Sequence, residues 1–436
     1  MLRTVRSLLA APDLRRRILI TLAVVVVARF GSAIPAPGVS FPNVQQCAAD
    51  IERTSGGTAN ISDLFNLLSG GALLQLSIFA IGILPFISAS IMIQLLTVVI
   101  PRFTQLRSEG QSGQVKLNQY TRYLTMALAT LQAASVVTLA VRGTLLQGCA
   151  LPVIPNADPG TLAVLVVVMV AGAAVLMRLG EQVTEKGIGN GISILMFTSI
   201  AHRIPADLKR VYESTGLFGF IGICVFGVAI IASVVLVEQA QRRIPVQYAK
   251  RMVGRRMYGG TSTYLPIKVN QAGVIPVIFA SSLLSLPTLV APLLGGSGPV
   301  AKAIQVYLLD QSSWVHNVLS SLMIVGFAYF YIGITFDPAE RASELKKFGG
   351  FIPGLRPGRV TLEYLRFVVN RITLPGAAYL AIIAVLPNLL LGSSGGQGQF
   401  LPFGGTTVLI MVGVGLETLK QLEAQLIQHH YQGFLR

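Results

Sequence analysis

KVNQAGVIPVIFASS, residues 268–282, opens an apolar run that continues to Leu294, yet it begins with the amides Asn270 and Gln271 and carries Gly273 and Pro276. A helix that simply faces lipid has no use for amides or helix breakers; one that meets water or borders a cavity does. The rest of the chain decides which environment this is. Its 436 residues are 53% hydrophobic and 12% charged, with mean hydropathy +0.66, a balance far from that of soluble globular proteins.

A hydrocarbon core of ~30 Å takes about 20 mostly apolar residues per helix. Ten segments meet or approach that length: Ile18–Ile34, Leu76–Ile100, Tyr120–Val141, Thr161–Leu179, Ile188–Ile204, Leu217–Val237, Val274–Leu294, Val315–Phe336, Leu374–Leu391 and Leu401–Leu419. Backbone in lipid must satisfy its own hydrogen bonds, so all are read as helices. The expected fold is an all-α polytopic membrane protein with ten transmembrane helices.

The N-terminus, with Arg15, Arg16 and Arg17 before its apolar run, imitates a secretory signal peptide but reads as an uncleaved first helix because further spans follow. The formal charge of +16 tests the resulting topology. With the N-terminus inside, 27 Lys and Arg fall in inside segments and six in outside loops, as the positive-inside rule requires. Both termini then lie in the cytoplasm. Ten spans divide into five and five, and a duplicated unit with an odd number of spans inserts upside down. The expected organisation is two pseudo-symmetric inverted halves, residues 1–204 and 205–436, with the working site between them.

Three cysteines, Cys47, Cys149 and Cys224, make no disulfide framework and no zinc spacing. Cys47 and Cys149 both fall in outside loops, where a bridge between them is open. Adjacent His429 and His430 diverge on a helix, which argues against a metal site, and no cofactor is expected. H-E-x-x-H, G-x-S-x-G and paired intramembrane Asp are absent, so a membrane protease lacks its catalytic groups. Few ionisable residues lie within the spans, Arg29 and, near an end, Glu417 among them, which is sparse for an ion-coupled transporter.

Between the first two spans, Ile61, Leu64, Phe65 and Leu68 fall at helical spacing, Ser62 or Asp63 can cap, and Gly70 and Gly71 end the run. A helix this short cannot span; a surface helix and a re-entrant piece packed inside the protein both fit. In the second span, Gly82, Ser88, Ala89 and Ser90 suit close helix packing, and the serines can satisfy backbone groups freed by Pro85. Gly187, Gly189 and Gly191 resemble a phosphate loop only superficially, since no Gly-Lys-Ser/Thr follows; they suit a tightly packed entry into the fifth span. Two long loops, 238–270 and 337–373, carry seven basic residues each. Orientation, attraction of anionic lipid, and docking of a large partner that presents RNA phosphates all fit them.

The segments SIFAIGILPFISASIMIQLL, EKGIGNGISI, QRRIPVQYAKR, LPIKVNQAGVIPVIFASS and FIPGLRPG closely resemble the SecY/Sec61-alpha family of protein-conducting channels. The resemblance implies two five-helix halves around an hourglass pore that passes secretory polypeptides across the bacterial plasma membrane and releases hydrophobic segments sideways into lipid. It implies a pore ring of Ile83, Ile87, Ile192, Met196, Ile275, Ile278 and Ile410, in which Met196 departs from a strictly aliphatic set. It implies a plug at about residues 60–71, formed by Ser62, Asp63, Leu64, Phe65, Asn66, Leu67, Leu68 and Ser69 with Gly70 and Gly71 as hinge. A lateral gate is implied between the second and third spans and the seventh and eighth, with Ser88, Ser90, Gln94, Asn270 and Gln271 as polar contacts. Partner docking falls to Arg242, Arg243, Lys250, Arg251, Arg255, Arg256, Arg356 and Arg359. The implied partners are the SecE and SecG subunits, the SecA motor ATPase, the ribosome, signal peptides and nascent chains, and membrane lipid. The alternative of the same topology is an inverted-repeat secondary transporter, which the scarcity of midplane charge disfavours.

Overall fold

The computed structural model describes residues 12–44, 46–47, 71–73, 75–141, 143, 153–155, 158–248, 251–253, 256–258, 262–290, 313–393 and 405–434. Its elements are α1 (Pro12–Ala33), α2 (Leu84–Val99), α3 (Pro101–Ser108), α4 (Gln111–Val141), α5 (Pro159–Lys186), α6 (Gly191–Gln239), β1 (Gln241–Tyr248), β2 (Arg251–Val253), β3 (Arg256–Tyr258), β4 (Ser262–Lys268), α7 (Ile275–Val290), α8 (Trp314–Thr335), α9 (Pro338–Lys347), β5 (Gly350–Phe351), α10 (Arg359–Ser393) and α11 (Gly405–Phe434). Within the described residues, each of the ten apolar segments overlaps a helix. Among the described residues, five helices are long and apolar enough to cross a bilayer, six if α2 and α3, which bend by 100° at the Ile100–Pro101 corner, count as one span. The chain is a multi-pass membrane protein.

Three local features depart from the sequence reading. The second span begins as turns, because helix starts only at Leu84. Pro85 therefore sits in the first turn, where its missing N–H costs no helical bond, and no backbone group needs rescue by the serines. The turns before it satisfy their backbone against the end of α1: Ala36 N–H donates to Leu76 O at 3.0 Å and Ile78 N–H to Ile34 O at 3.0 Å. Non-helical backbone is tolerated at such a depth because it is paired and buried, as Leu76 and Ser77 are.

The fifth and sixth spans are not separated by a loop. They are two arms of α6, broken at Gly216, whose φ of 68° and ψ of −174° only glycine adopts readily. The third departure lies in the loop after α6, which is not irregular. β1 pairs antiparallel with β4 along its length, and β5 from the second long loop adds to the other edge of β1, giving the order β4-β1-β5. Ile244 and Val246 point inward from β1 and pack with Ile267, Ile352 and Leu365. This sheet caps the basic-loop end of the helices.

The helices pack in two groups. α2, α4, α5 and the first arm of α6 share one; α7, α8, α10 and α11 share the other. α11 packs closely on α6, while α7 touches α2 and α4 only lightly. At the basic-loop end, Arg122 on α4 holds Glu181 on α5 through two bonds of 2.8 Å. Cys47 is buried and disulfide-bonded, Cys224 is free, and Cys149 lies outside the described residues.

Candidate pore and gate

One apolar cluster draws on both groups of helices. Ile83, Ile87, Met196 and Ile410 are buried in it, at 7% exposure or less, and Ile192 and Ile278 pack against it. These six come from α2 and the turn before it, α6, α7 and α11, so four parts of the chain distant in sequence converge in one apolar cluster. Ile83 and Ile192 approach the same point on α5: a Cβ built on Gly180 would lie 3.6 Å from Ile83 Cδ1 and 3.5 Å from Ile192 Cγ1.

Ile275 is the ring candidate that this cluster omits, and Val274 packs there instead. The reason is the turn at Gly273, φ 61°, which delays the start of α7 to Ile275 and shifts which residues face the cluster. Ile91 joins too; it follows Ile87 by one helical turn, a spacing that could have identified it. Met196 is 3% exposed, and a flexible thioether fills such a site without strain.

The approach to the cluster through the glycine-rich entry to α6 is as tight as the glycines suggested. A Cβ on Gly191 would meet Gly180 O at 2.0 Å. Asn190 caps α6 by accepting from Ile192 N–H at 3.1 Å, and Thr184 Oγ1 accepts from Gly191 N–H at 2.9 Å. Behind the cluster, Arg29 donates to Thr198 O and lines a small cavity with Ile83, Leu195 and Ser199. An arginine at this depth is accommodated by a backbone carbonyl and a polar-edged cavity rather than by lipid.

Of the plug candidates only Gly71 falls within the described residues. Its φ of 90° suits a hinge glycine, with open space where a Cβ would be; Ser62, Asp63, Leu64, Phe65, Asn66, Leu67, Leu68, Ser69 and Gly70 lie outside them.

The gate candidates are not brought together. Ser88 is buried in α2, and Gln94 Nε2 donates to Ser90 Oγ at 3.4 Å within the same helix. Asn270 bonds elsewhere: its Nδ2 donates to Glu238 Oε2 at 3.0 Å and to Gly273 O at 3.1 Å, neither of them on α2 or α4. Gln271 Oε1 is buried without a hydrogen-bond partner.

The docking candidates divide likewise. Arg242 and Arg243 stand exposed on β1, with the Arg243 guanidinium 4.9 Å from the centre of the Tyr264 ring. Arg251 and Arg256 lie on the paired strands β2 and β3, and Lys250 and Arg255 lie outside the described residues. Arg356 is exposed in the turn before α10, fixed by Thr361 Oγ1 donating to its carbonyl at 2.9 Å. Arg359 pairs with Glu363 at 3.0 Å in full solvent, a contact of little energetic weight.

Comparison with known proteins agrees with this geometry. The chain is 59% identical over 437 residues to "Protein translocase subunit SecY" of Mycobacterium bovis, covering 99% of each. Its fold is similar to "The structure of a protein conducting channel", with a TM-score of 0.65 and 18% identity over 94% of this chain and 92% of that one. It is likewise similar to "Sec61 in the Canine ribosome-channel complex from the endoplasmic reticulum", with a TM-score of 0.62 and 17% identity over 94% and 92%. The SecY family model matches residues 77–419, from the buried turn before α2 to the end of the apolar part of α11, and on that extent of agreement the chain belongs to the SecY family.

Proposed function

We propose that the chain is the pore-forming subunit of a protein-conducting channel, which passes secretory polypeptides through the apolar constriction and lets hydrophobic segments leave between α7 and the α2–α4 pair. The observation that carries this reading is the convergence of Ile83, Ile87, Ile192, Met196, Ile278 and Ile410 from four separate parts of the chain. Apolar side chains without charge exclude ions by dewetting and yield to a passing chain without breaking specific bonds. A solute transporter needs polar or charged ligands at its site, whereas the six side chains that converge here are apolar. The light contact of α7 with α2 and α4 supports a seam there.

The two halves, about residues 1–204 and 205–436, join near the break of α6 at Gly216. The basic loops face the bacterial cytoplasm with both termini, and the disulfide at Cys47 supports assigning the opposite face to an oxidising compartment. Arg242, Arg243 and Arg356 then offer a docking surface for SecA or the ribosome, a reading favoured by the ribosome-bound state of a structural neighbour. SecE and SecG are the expected subunits beside it. Energy comes from the docked partner, and the pore is passive. The plug assigned to this reading is Ser62–Ser69, with Gly70 and Gly71 as hinge.

The test is reconstitution in vesicles with those subunits, SecA and ATP. Protease-protected preprotein is the expected result. Concentration of a small solute without movement of preprotein would defeat the channel reading.

A further inference from the structure

The segment between β4 and α7 is held from several sides, by the end of α6, by α10 and by α11. Val269 N–H donates to Ala240 O at 3.0 Å, tying it to the end of α6. Gly376 on α10 sits so close that a Cβ there would lie 2.5 Å from Val269 O. Asn270, 3% exposed, then divides its amide between the Glu238 carboxylate at the end of α6 and the carbonyl of Gly273. On α11, a Cβ at Gly413 would meet the Val274 side chain at 2.5 Å.

Between Asn270 and α7 the backbone turns, and Val277 and Ala280 are then buried among α8, α10 and α11 on the same side. Gly273 has φ 61° and nothing within 4 Å of its Cβ position. Along the rest of its described length α7 packs on α8, where Phe279 meets Phe327 and Tyr331 edge to face, and only lightly on α2 and α4.

We infer that Asn270 is a positioning residue and not a seam contact: with Glu238 it pins the basic-loop end of α7, and the seam parts by the remaining length of α7 swinging about Gly273. This rests on the channel reading and adds where its moving helix is anchored. A buried hydrogen bond to a charged carboxylate is the strong kind, and an amide is the neutral donor that reaches it. Removing the amide leaves a carboxylate without its donor and releases the start of α7, so the closed pore loses definition while the constriction itself is untouched.

The test exchanges the two chemistries in the reconstituted complex. Asn270→Asp sets two carboxylates against each other and is expected to raise resting ion leak about tenfold, the shift that losing one charged hydrogen bond gives a two-state equilibrium. Preproteins with weakened signal segments should also pass more readily. Glu238→Gln combined with Asn270→Asp restores an amide–carboxylate pair and is expected to restore the tight pore. Should Asn270→Asp fail to accumulate in the membrane, Asn270→Ala, which withdraws the donor without adding charge, is read in the same way. Unchanged leak in a variant inserted at the normal level overturns the inference, and so does an exchanged pair as leaky as Asn270→Asp. Translocation of an ordinary preprotein by the unaltered channel is measured beside them; its absence would strike the channel reading itself and not this anchor.

Discussion

Arg122 and Glu181 meet as fork and carboxylate, Nε to Oε1 at 2.8 Å and Nη2 to Oε2 at 2.8 Å, and Arg178 Nη1 adds a third bond to Oε2 at 3.0 Å. The carboxylate is largely buried, with its side chain 15% exposed, and it joins α4 to α5 where both leave the membrane. Two parallel charge-assisted bonds fix direction as well as distance. Glu181→Gln should destabilise the purified protein by about 1–2 kcal/mol. Arg122→Lys, which keeps the charge and loses the fork, should cost less. Thermal unfolding in detergent checks both, and equal losses would count against the fork.

The seal should depend on the apolar surface of the constriction. Replacing Ile87 and Ile278 by Ser or Gly in the reconstituted channel should wet the closed pore and raise its conductance in planar bilayers. Conductance at the original level would remove these residues from the seal.

Gly191→Ala forces a methyl group against Gly180 O, 2.0 Å from the ideal Cβ, and backbone cannot rotate away as a side chain can. A loss of about 1–3 kcal/mol is expected, seen as a lower yield of folded protein by size-exclusion chromatography. Gly222→Ala, with nothing within 4 Å, is the matched control and should be neutral or nearly so.

Reversing charge at Arg356 should weaken docking of SecA and leave membrane insertion intact, because the side chain is exposed and only its carbonyl serves the fold. Binding measured at two salt concentrations should show a shallower salt dependence than the unaltered protein. Normal affinity together with normal translocation would move the docking surface elsewhere.

With Cys47 bonded and Cys224 free, alkylation of the denatured, unreduced protein should add one group, on Cys224, and three after reduction. Mass spectrometry counts them directly. Three groups before reduction would contradict the bonded state of Cys47.

Hydropathy made the ten helical segments legible because an apolar run of that length has few other uses. It could not report where a run stops being helical. Leu76–Ile83 is as apolar as the helix that follows, and its turns depend on partners just after α1 that lie about forty residues away in sequence. For the same reason Val274 and not Ile275 joins the constriction: the offset comes from one positive φ at Gly273. The sheet had a readable signal, the alternation of buried and exposed positions about Ile244 and Val246, which the length and charge of the loop obscured. Asn270 and Gln271 were legible as misfits in a lipid helix, but the partner of Asn270 was not, because Glu238 reaches it only through the β1–β4 hairpin that folds the chain back.

That hairpin has a mechanical consequence. β1 follows α6 after a single residue, β4 leads back to α7, and β5 brings in the chain between α9 and α10, so both basic loops are fastened to one small plate. A load applied to either loop is borne by both, and it reaches four membrane helices through stiff strands instead of slack chain. A partner grasping this plate holds a handle whose shaft ends beside Asn270, where the swing of α7 begins.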